Sequence, residues 1–238
     1  SCDVFFYDLA YKMGIDQIHD SLSLFQFGKK TGVDIPGELG GILPSREWKK
    51  INKDEPWYRG ETLITGIGQG FMTASPIQLA LATGAIANKG QLHTPRVLMH
   101  TQSKNGESYL ESQTQSKQIP IKDISNWDLI EHAMKQTVYG KLGTAKRLNN
   151  KLKYTLAGKT GTAQVFGLDP EEKYIADNID EKLRDHALFT GYAPIENPQV
   201  AIAIIVENAG SGSSKAAPLA RELLDEYFMK NPVESEKL

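Results

Sequence analysis

Apolar residues recur at helical spacing along the first 25 positions: Val4, Phe5, Leu9 and Met13, then Ile18, Leu22 and Phe25. This period predicts a helix from an Asp3 N-cap to Met13, stopped by Gly14. It predicts a second over Ile15 to Phe25, closed by Gly28. Over residues 31–62 the period is lost. Pro36, Gly37, Gly40, Gly41, Pro44 and Pro56 punctuate an irregular excursion, with Trp48 and Trp57 placed to pin it down. A connection that long without regular structure is uncommon and often functional. Helical spacing returns after Thr73-Ala74. Ser75 is the expected N-cap and Pro76 the first helical residue, with Leu79, Ala82, Ile86 and Ala87 on the apolar side.

Residues 99–123 are polar and poorly patterned, which predicts a hairpin or loop. Asp123 or Ser125 starts another helix through Trp127, Ile130, Met134 and Val138. The period then changes to that of strands. Tyr154 to Phe166 reads as a strand with Gly158 and Gly161 inside it, and the charged stretch 167–185 as a helix-bearing insertion. Ala187 to Ala193 and Val200 to Glu207 are apolar, β-rich runs joined at Pro194 to Pro198, a hairpin. Ser214 to Met229 is an amphipathic helix with Leu219, Leu223, Tyr227 and Phe228 expected inward. The polar tail 231–238 is expected to be disordered. Helices thus dominate 1–150, and an antiparallel sheet with a terminal helix fills 151–230, an α+β pattern.

Composition narrows the function classes. In 238 residues, 27 Lys and Arg face 29 Asp and Glu, a formal charge of −2. That balance lacks the basic footprint of a nucleic-acid binder. The longest apolar run, Val200 to Val206, is far shorter than the roughly 20 residues needed to cross a bilayer. A single cysteine, Cys2, excludes an intrachain disulfide and a self-contained cysteine-cluster metal site.

The sharpest local signal is Lys159-Thr160-Gly161-Thr162 on a predicted strand. Lys159 offers positive charge, and the hydroxyls of Thr160 and Thr162 suit a carboxylate. Gly161 lets a ligand backbone come close. On an edge strand, a peptide could add as a further strand. The alternative is an exposed strand with a glycine bulge. Ser1-Cys2-Asp3 is a weaker motif, and a helix N-cap explains it equally. Gly66-Ile67-Gly68-Gln69-Gly70 lacks the Gly-Lys-Ser/Thr ending of a phosphate loop and reads as a tight structural turn. His186 could line a cleft, with a satisfied structural histidine as the favoured reading. His19, His93, His100 and His132 are scattered without metal-ligand spacing.

Together these segments resemble the transpeptidase domain of class B penicillin-binding proteins, in particular their elongation subfamily. Ser-Cys-Asp-Val-Phe-Phe-Tyr at the start looks like the second active-site motif and its helix. The Gly-Ile-Gly-Gln-Gly-Phe-Met-Thr-Ala-Ser-Pro-Ile-Gln-Leu-Ala segment looks like the glycine turn and following helix. Lys-Thr-Gly-Thr-Ala-Gln-Val-Phe-Gly looks like the third motif, and Leu-Arg-Asp-His-Ala-Leu-Phe like the next strand. Asp3 stands where most relatives carry Asn, a departure typical of that subfamily. An ionised Asp only accepts hydrogen bonds, so it needs donors such as lysine ammonium groups. The family's Ser-x-x-Lys nucleophile motif occurs nowhere in the 238 residues; Thr101-x-x-Lys104 and Thr114-x-x-Lys117 are the nearest imitations. The resemblance places that motif upstream of Ser-x-Asp. Residues 1–230 are therefore expected to be the C-terminal part of a transpeptidase domain, inactive alone.

The resemblance implies a penicillin-binding-protein and serine β-lactamase-like fold, incomplete at its N-terminus. The implied activity is peptidoglycan D,D-transpeptidation through a serine acyl-enzyme, inhibited by β-lactams. Ser1 would relay a proton, Asp3 would orient lysines, and Lys159 would raise the positive potential. Thr160 and Thr162 would bind the terminal carboxylate beside Gly161, and the Thr162 N–H would be one oxyanion-hole donor. Implied partners are the D-Ala–D-Ala stem peptide, β-lactams and membrane proteins of the elongation machinery, with no nucleic acid. The implied place is the periplasmic face of the inner membrane, anchored by an upstream helix. No cofactor is required. The resemblance makes Cys2 a candidate zinc ligand, with its partners upstream, against the alternative of a buried core thiol. Two other functions share these features: a serine β-lactamase or β-lactam sensor, and a non-catalytic partner-binding module.

Overall fold

Gly14 interrupts the first helical stretch and leaves two helices that meet at it, as the sequence predicts. Together they make up α1, Asp3–Ser23, with a kink at Gly14, whose φ of 76° and ψ of 161° are non-helical. The computed structural model describes residues 2–106, 108–110, 115–165 and 179–232. Ser1, most of the 167–185 insertion and the end of the tail, 233–238, lie outside the described residues. The chain folds as two compact units, and each is built on its own core.

The first unit comprises Cys2–Ala85 and Gly90–Ile121. Cys2, not Asp3, is the N-cap of α1, and it makes no side-chain cap bond; Asp3 occupies the first helical turn, where a carboxylate suits the positive end of the helix dipole. The 31–62 excursion is less irregular than its pattern suggests. It contains α2, Arg46–Lys53, capped by the Ser45 hydroxyl on the Trp48 N–H, and most of α3, Arg59–Gly66. Helix α2 escaped the pattern because its one fully buried side chain is a lysine. Lys49 is 1% exposed and pairs with Glu61 and, at 3.3 Å, with Glu55. Its ammonium also lies 4.1 Å from the Tyr58 ring centroid. Burial pulls Lys49 down, but its bonds to Glu61 and Glu55 outweigh this and hold it above the ordinary lysine value. Trp48 and Trp57 do pin the segment, both against the Phe71 ring.

Helix α4, Pro76–Ala87, starts where Ser75-Pro76 places it. The Ser75 N–H donates to Gln78 Oε1 at 2.9 Å and the Gln78 N–H to Ser75 Oγ at 3.4 Å, a reciprocal cap. The fully buried Gln78 amide also donates to the carbonyls of Lys29 (2.8 Å), Gly40 (2.7 Å) and Gln26 (3.3 Å). Phe27, Leu43 and Ala82 form the small core around it. Asp34 accepts from the Val97 and Leu98 N–H groups at 2.6 and 2.8 Å. Glu38 accepts from both the N–H and the hydroxyl of Thr31, each at 2.6 Å. The described residues between 91 and 118 form two nested antiparallel ladders. Strands β1 (Gln91–His93) and β4 (Ser116–Gln118) enclose β2 (His100–Gln102) and β3 (Ser108–Leu110).

The second unit comprises Ile86–Lys89 and the chain from Lys122 onward. Helix α5, Ser125–Tyr139, follows Asp123, whose carboxylate accepts from the Ser125 N–H and hydroxyl. Trp127, Met134 and Val138 are buried as expected, while Ile130 points outward and is exposed. Strand β5, Ala157–Ala163, is shorter than the predicted 154–166. It pairs antiparallel with β6, His186–Ala193, which pairs antiparallel with β7, Val200–Val206. The order β5-β6-β7 leaves β5 at an edge among the described residues.

Helix α6, Ala216–Lys230, covers this sheet with part of the predicted stripe, Tyr227 and Phe228, and departs from it at Leu219 and Leu223. Ala217, Ala220, Leu224 and Phe228 are inward, whereas Leu219 is 42% and Leu223 58% exposed. Small alanines let the helix approach β6 and β7, and this moves burial from Leu219 and Leu223 to the next positions, Ala220 and Leu224. Phe228 stacks on Tyr154 with ring centroids 4.4 Å apart. Arg221 fastens the helix. It grips Asp225 at 2.7 Å and donates to the carbonyls of Leu148, Asn150 and Lys151. The Tyr154 hydroxyl donates to the same Asp225 at 2.8 Å. The architecture is α+β.

Candidate functional site

A β-strand alternates its side chains, so Lys159 and Gly161 share one face of β5, and Thr160 and Thr162 the other. Lys159 and Thr162 are exposed at this edge. The Lys159 ammonium folds back onto the Thr160 carbonyl at 2.5 Å. Thr160 is only 8% exposed. Its hydroxyl lies 2.7 Å from that of Thr144, in the turn after α5. The Thr160 hydroxyl is therefore covered by a second hydroxyl and does not stand open to solvent as its residue type suggests.

At Gly161 the fold itself supplies a close neighbour. The group that comes close to it is part of this protein, in the loop after β7. A Cβ on Gly212 would lie 2.2 Å from the Gly161 carbonyl oxygen and 2.3 Å from that of Leu188. Only a glycine at 212 allows this loop to rest on β5 and β6. A Cβ on Gly161 itself would meet the Leu188 side chain at 3.2 Å.

The start of β6 is locked to the same loop. His186 Nδ1 accepts the Asn208 N–H at 2.9 Å, so the imidazole is a structural acceptor, the favoured reading of that histidine. The Asn208 side chain donates to the carbonyls of Lys182 and Arg184. The Asp185 carbonyl accepts from the Gly210 N–H at 2.8 Å. The Asp185 carboxyl is buried. Burial pushes it above the ordinary Asp value, against the opposing pull of the Val165 N–H and of His186.

The remaining candidates belong to the other unit. Asp3 and Cys2 are both exposed at the start of α1. An exposed Cys2 is not the buried core thiol of the alternative reading. Among the described residues no group of three His, Cys, Asp or Glu side chains is gathered to hold a metal. Cys2 by itself does not fit zinc, which takes four ligands in structural sites. Ser1 is outside the described residues. The Gly66–Gly70 segment is a tight structural turn at the end of α3. A Cβ on Gly66 would lie 2.3 Å from the Ala10 Cβ, so this glycine lets α3 press on α1. A mostly apolar cavity of about 330 Å³ opens beside them, lined by Phe6, Leu9, Met13, Leu22, Phe27 and Met72. Gly66 and Gly68 also line it, but Cys2, Asp3 and Lys159 to Thr162 do not.

Thr144, Gly212 and Asp185 were missed at the level of sequence. The Asp-His pair before a strand is a visible signal for the last of these. A lone threonine and a loop glycine carry none, because their role arises from pairing across the fold.

No helix among the described residues is long and apolar enough to cross a membrane. Residues 1–225 match the family model of the penicillin binding protein transpeptidase domain. The chain is 40% identical over 237 residues to peptidoglycan D,D-transpeptidase MrdA of Haemophilus influenzae, covering 100% of this chain and 36% of that relative. It thus spans about a third of the length of the curated relatives it matches. Among solved structures it is similar to PBP2 of Pseudomonas aeruginosa in complex with WCK 5153. The TM-score is 0.80 at 42% identity, over 99% of this chain and 48% of that one. It is also similar to the PBP2 in the complex between PBP2 and MreC from Helicobacter pylori. There the TM-score is 0.79 at 33% identity, over 95% of this chain and 38% of that one.

Proposed function

The chain belongs to the penicillin-binding protein transpeptidase family, and from that premise we propose that it is part of a peptidoglycan D,D-transpeptidase of cell elongation. The observation that carries this reading is the Lys159–Thr162 strand, which offers an exposed ammonium and an exposed hydroxyl at a sheet edge. A stem peptide ending in D-Ala–D-Ala would lie along this edge, its terminal carboxylate drawn by Lys159 and the threonine hydroxyls. The Thr162 N–H would donate to the oxyanion. Asp3 would orient lysine ammonium groups, and Ser1 would pass a proton to the leaving amine. Residues 1–238 contain no Ser-x-x-Lys sequence, so on this reading the nucleophile comes from outside them. Its attack on the scissile carbonyl forms the acyl-enzyme and expels the terminal D-Ala; an amine of a second stem then resolves the ester.

β-Lactams would enter as mimics of D-Ala–D-Ala and remain as slowly released acyl groups. The similarity to a PBP2 solved with MreC supports partners in the elongation machinery. The periplasmic face of the inner membrane is the place this reading requires. Labelling of the full-length protein with fluorescent penicillin tests it. A stable adduct on a serine of a Ser-x-x-Lys motif outside residues 1–238 is expected, and none on residues 1–238 alone. A labelled serine within these residues would refute the missing-nucleophile argument. Rapid drug turnover would favour a β-lactamase, and no adduct on the full-length protein a non-catalytic module.

A further inference from the structure

We infer that Thr144 is a substrate-binding residue of this site, acting as one unit with Thr160 on the substrate's terminal carboxylate. The inference rests on the transpeptidase reading and alters its detail. Thr160 is buried and Thr144 exposed, with their hydroxyl oxygens 2.7 Å apart. A buried hydroxyl needs a partner for its proton. The Thr144 oxygen is that partner, which leaves the Thr144 proton as the one directed to solvent. The pair is then a short chain in which Thr160 donates to Thr144 and Thr144 donates to an anion. Each hydroxyl gives one proton and the bonds reinforce one another.

The turn that carries Thr144 is built for one position. The Gly140 N–H bonds to the Gln136 carbonyl, the Gly143 N–H to the Gly140 carbonyl, and the Ala145 N–H to the Thr137 carbonyl at 3.0 Å. Lys141 and Lys146 flank Thr144 on this exposed turn, with the Lys146 ammonium on the Lys141 carbonyl at 3.2 Å. Positive charge on this turn and on Lys159 favours an anion over a neutral group. Thr162 shares the strand face with Thr160, so the exposed hydroxyls of Thr144 and Thr162 supply the carboxylate contacts. Thr160 supports the first of them from beneath.

The test measures acylation rates of the full-length protein with a penicillin and with its neutral methyl ester. Thr144→Val is expected to slow acylation by the acid roughly tenfold to a hundredfold and to leave the ester rate unchanged. Thr144→Ser restores the acid rate. With Thr160→Val already present, Thr144→Val adds little, because the two hydroxyls act together. A wild-type rate in Thr144→Val, equal slowing of acid and ester, or full additivity with Thr160→Val would overturn the inference while leaving the transpeptidase reading intact. A wild-type protein that takes neither penicillin nor its ester overturns both.

Discussion

Gly212 rests on the backbone of Gly161 so closely that neither the Gly161 nor the Leu188 carbonyl leaves room for a methyl group. The loop after β7 is therefore part of what fixes the Lys-Thr-Gly strand. Gly212→Ala has to lift the loop or bend β5. In the full-length protein this is expected to slow penicillin acylation by up to about a hundredfold, since misplacement by about 1 Å costs that much. Stopped-flow labelling measures it; an unchanged rate would show that the contact is only structural.

Gln78 holds three backbone carbonyls, those of Gln26 and Lys29 just after α1 and that of Gly40 in the 31–62 excursion. Gln78→Ala removes the side-chain donor to the Lys29 and Gly40 carbonyls, while the Gln26 carbonyl keeps the Lys29 N–H. A loss of roughly 3 kcal/mol is expected, read as a lower midpoint in urea denaturation. Gln78→Glu is expected to fare no better, because a carboxylate cannot donate to a carbonyl.

The acid side of the stability profile involves Asp34 and Glu38. The Val97 and Leu98 N–H groups hold Asp34 below its ordinary value. Burial pushes Glu38 up, but its bonds to Thr31 and Gly32 bring it below its ordinary value. Both are lowered on folding, so their contribution is present above the ordinary carboxylate range of about 4 and is lost as pH falls through the lowered values. Hydrogen-exchange protection, corrected for the intrinsic rate at each pH, is expected to fall at Thr31, Gly32, Val97 and Leu98 on acidification ahead of protection in β6. Simultaneous loss of protection throughout would count against this local effect.

At alkaline pH the buried phenols Tyr139, Tyr192 and Tyr154 all contribute, and a bond to a carboxylate singles out Tyr154. Burial comes first, and then its bond to Asp225, in holding the phenol well above the ordinary tyrosine value of about 10. The raised value means its stabilising contribution is complete below about pH 10 and is lost as pH rises toward the folded-state value. Tyr154→Phe is expected to flatten that alkaline decline. A decline as steep as in the wild type would assign it to other tyrosines.

Local chemistry made much of this fold legible. Ser75-Pro76 announced α4 because cap and fixed φ are properties of two adjacent residues. The apolar runs of β6 and β7 announced a hairpin because both strands are short and consecutive. Helix α2 stayed hidden because its buried contact is the charged Lys49, which no hydrophobic period reveals. In α6, Tyr227 and Phe228 face inward as expected and Leu219 and Leu223 do not, because small alanines, not the larger leucines, decide how near a helix lies to a sheet. At the site, the residue types of the Lys-Thr-Gly strand were readable and their surroundings were not. That Thr144 covers Thr160, and Gly212 rests on Gly161, depends on pairings between separate parts of the fold.

The Arg221 clamp also sets an order of events during synthesis. Its carbonyl partners Leu148, Asn150 and Lys151 precede it by 70 to 73 residues. A ribosome adds about 5–20 residues per second, so the segment leading into β5 waits on the order of ten seconds for its fastener. The motif strand is thus made well before it can be secured. A stall in translation within that interval would leave it as an unfinished edge, where a chaperone would find its target.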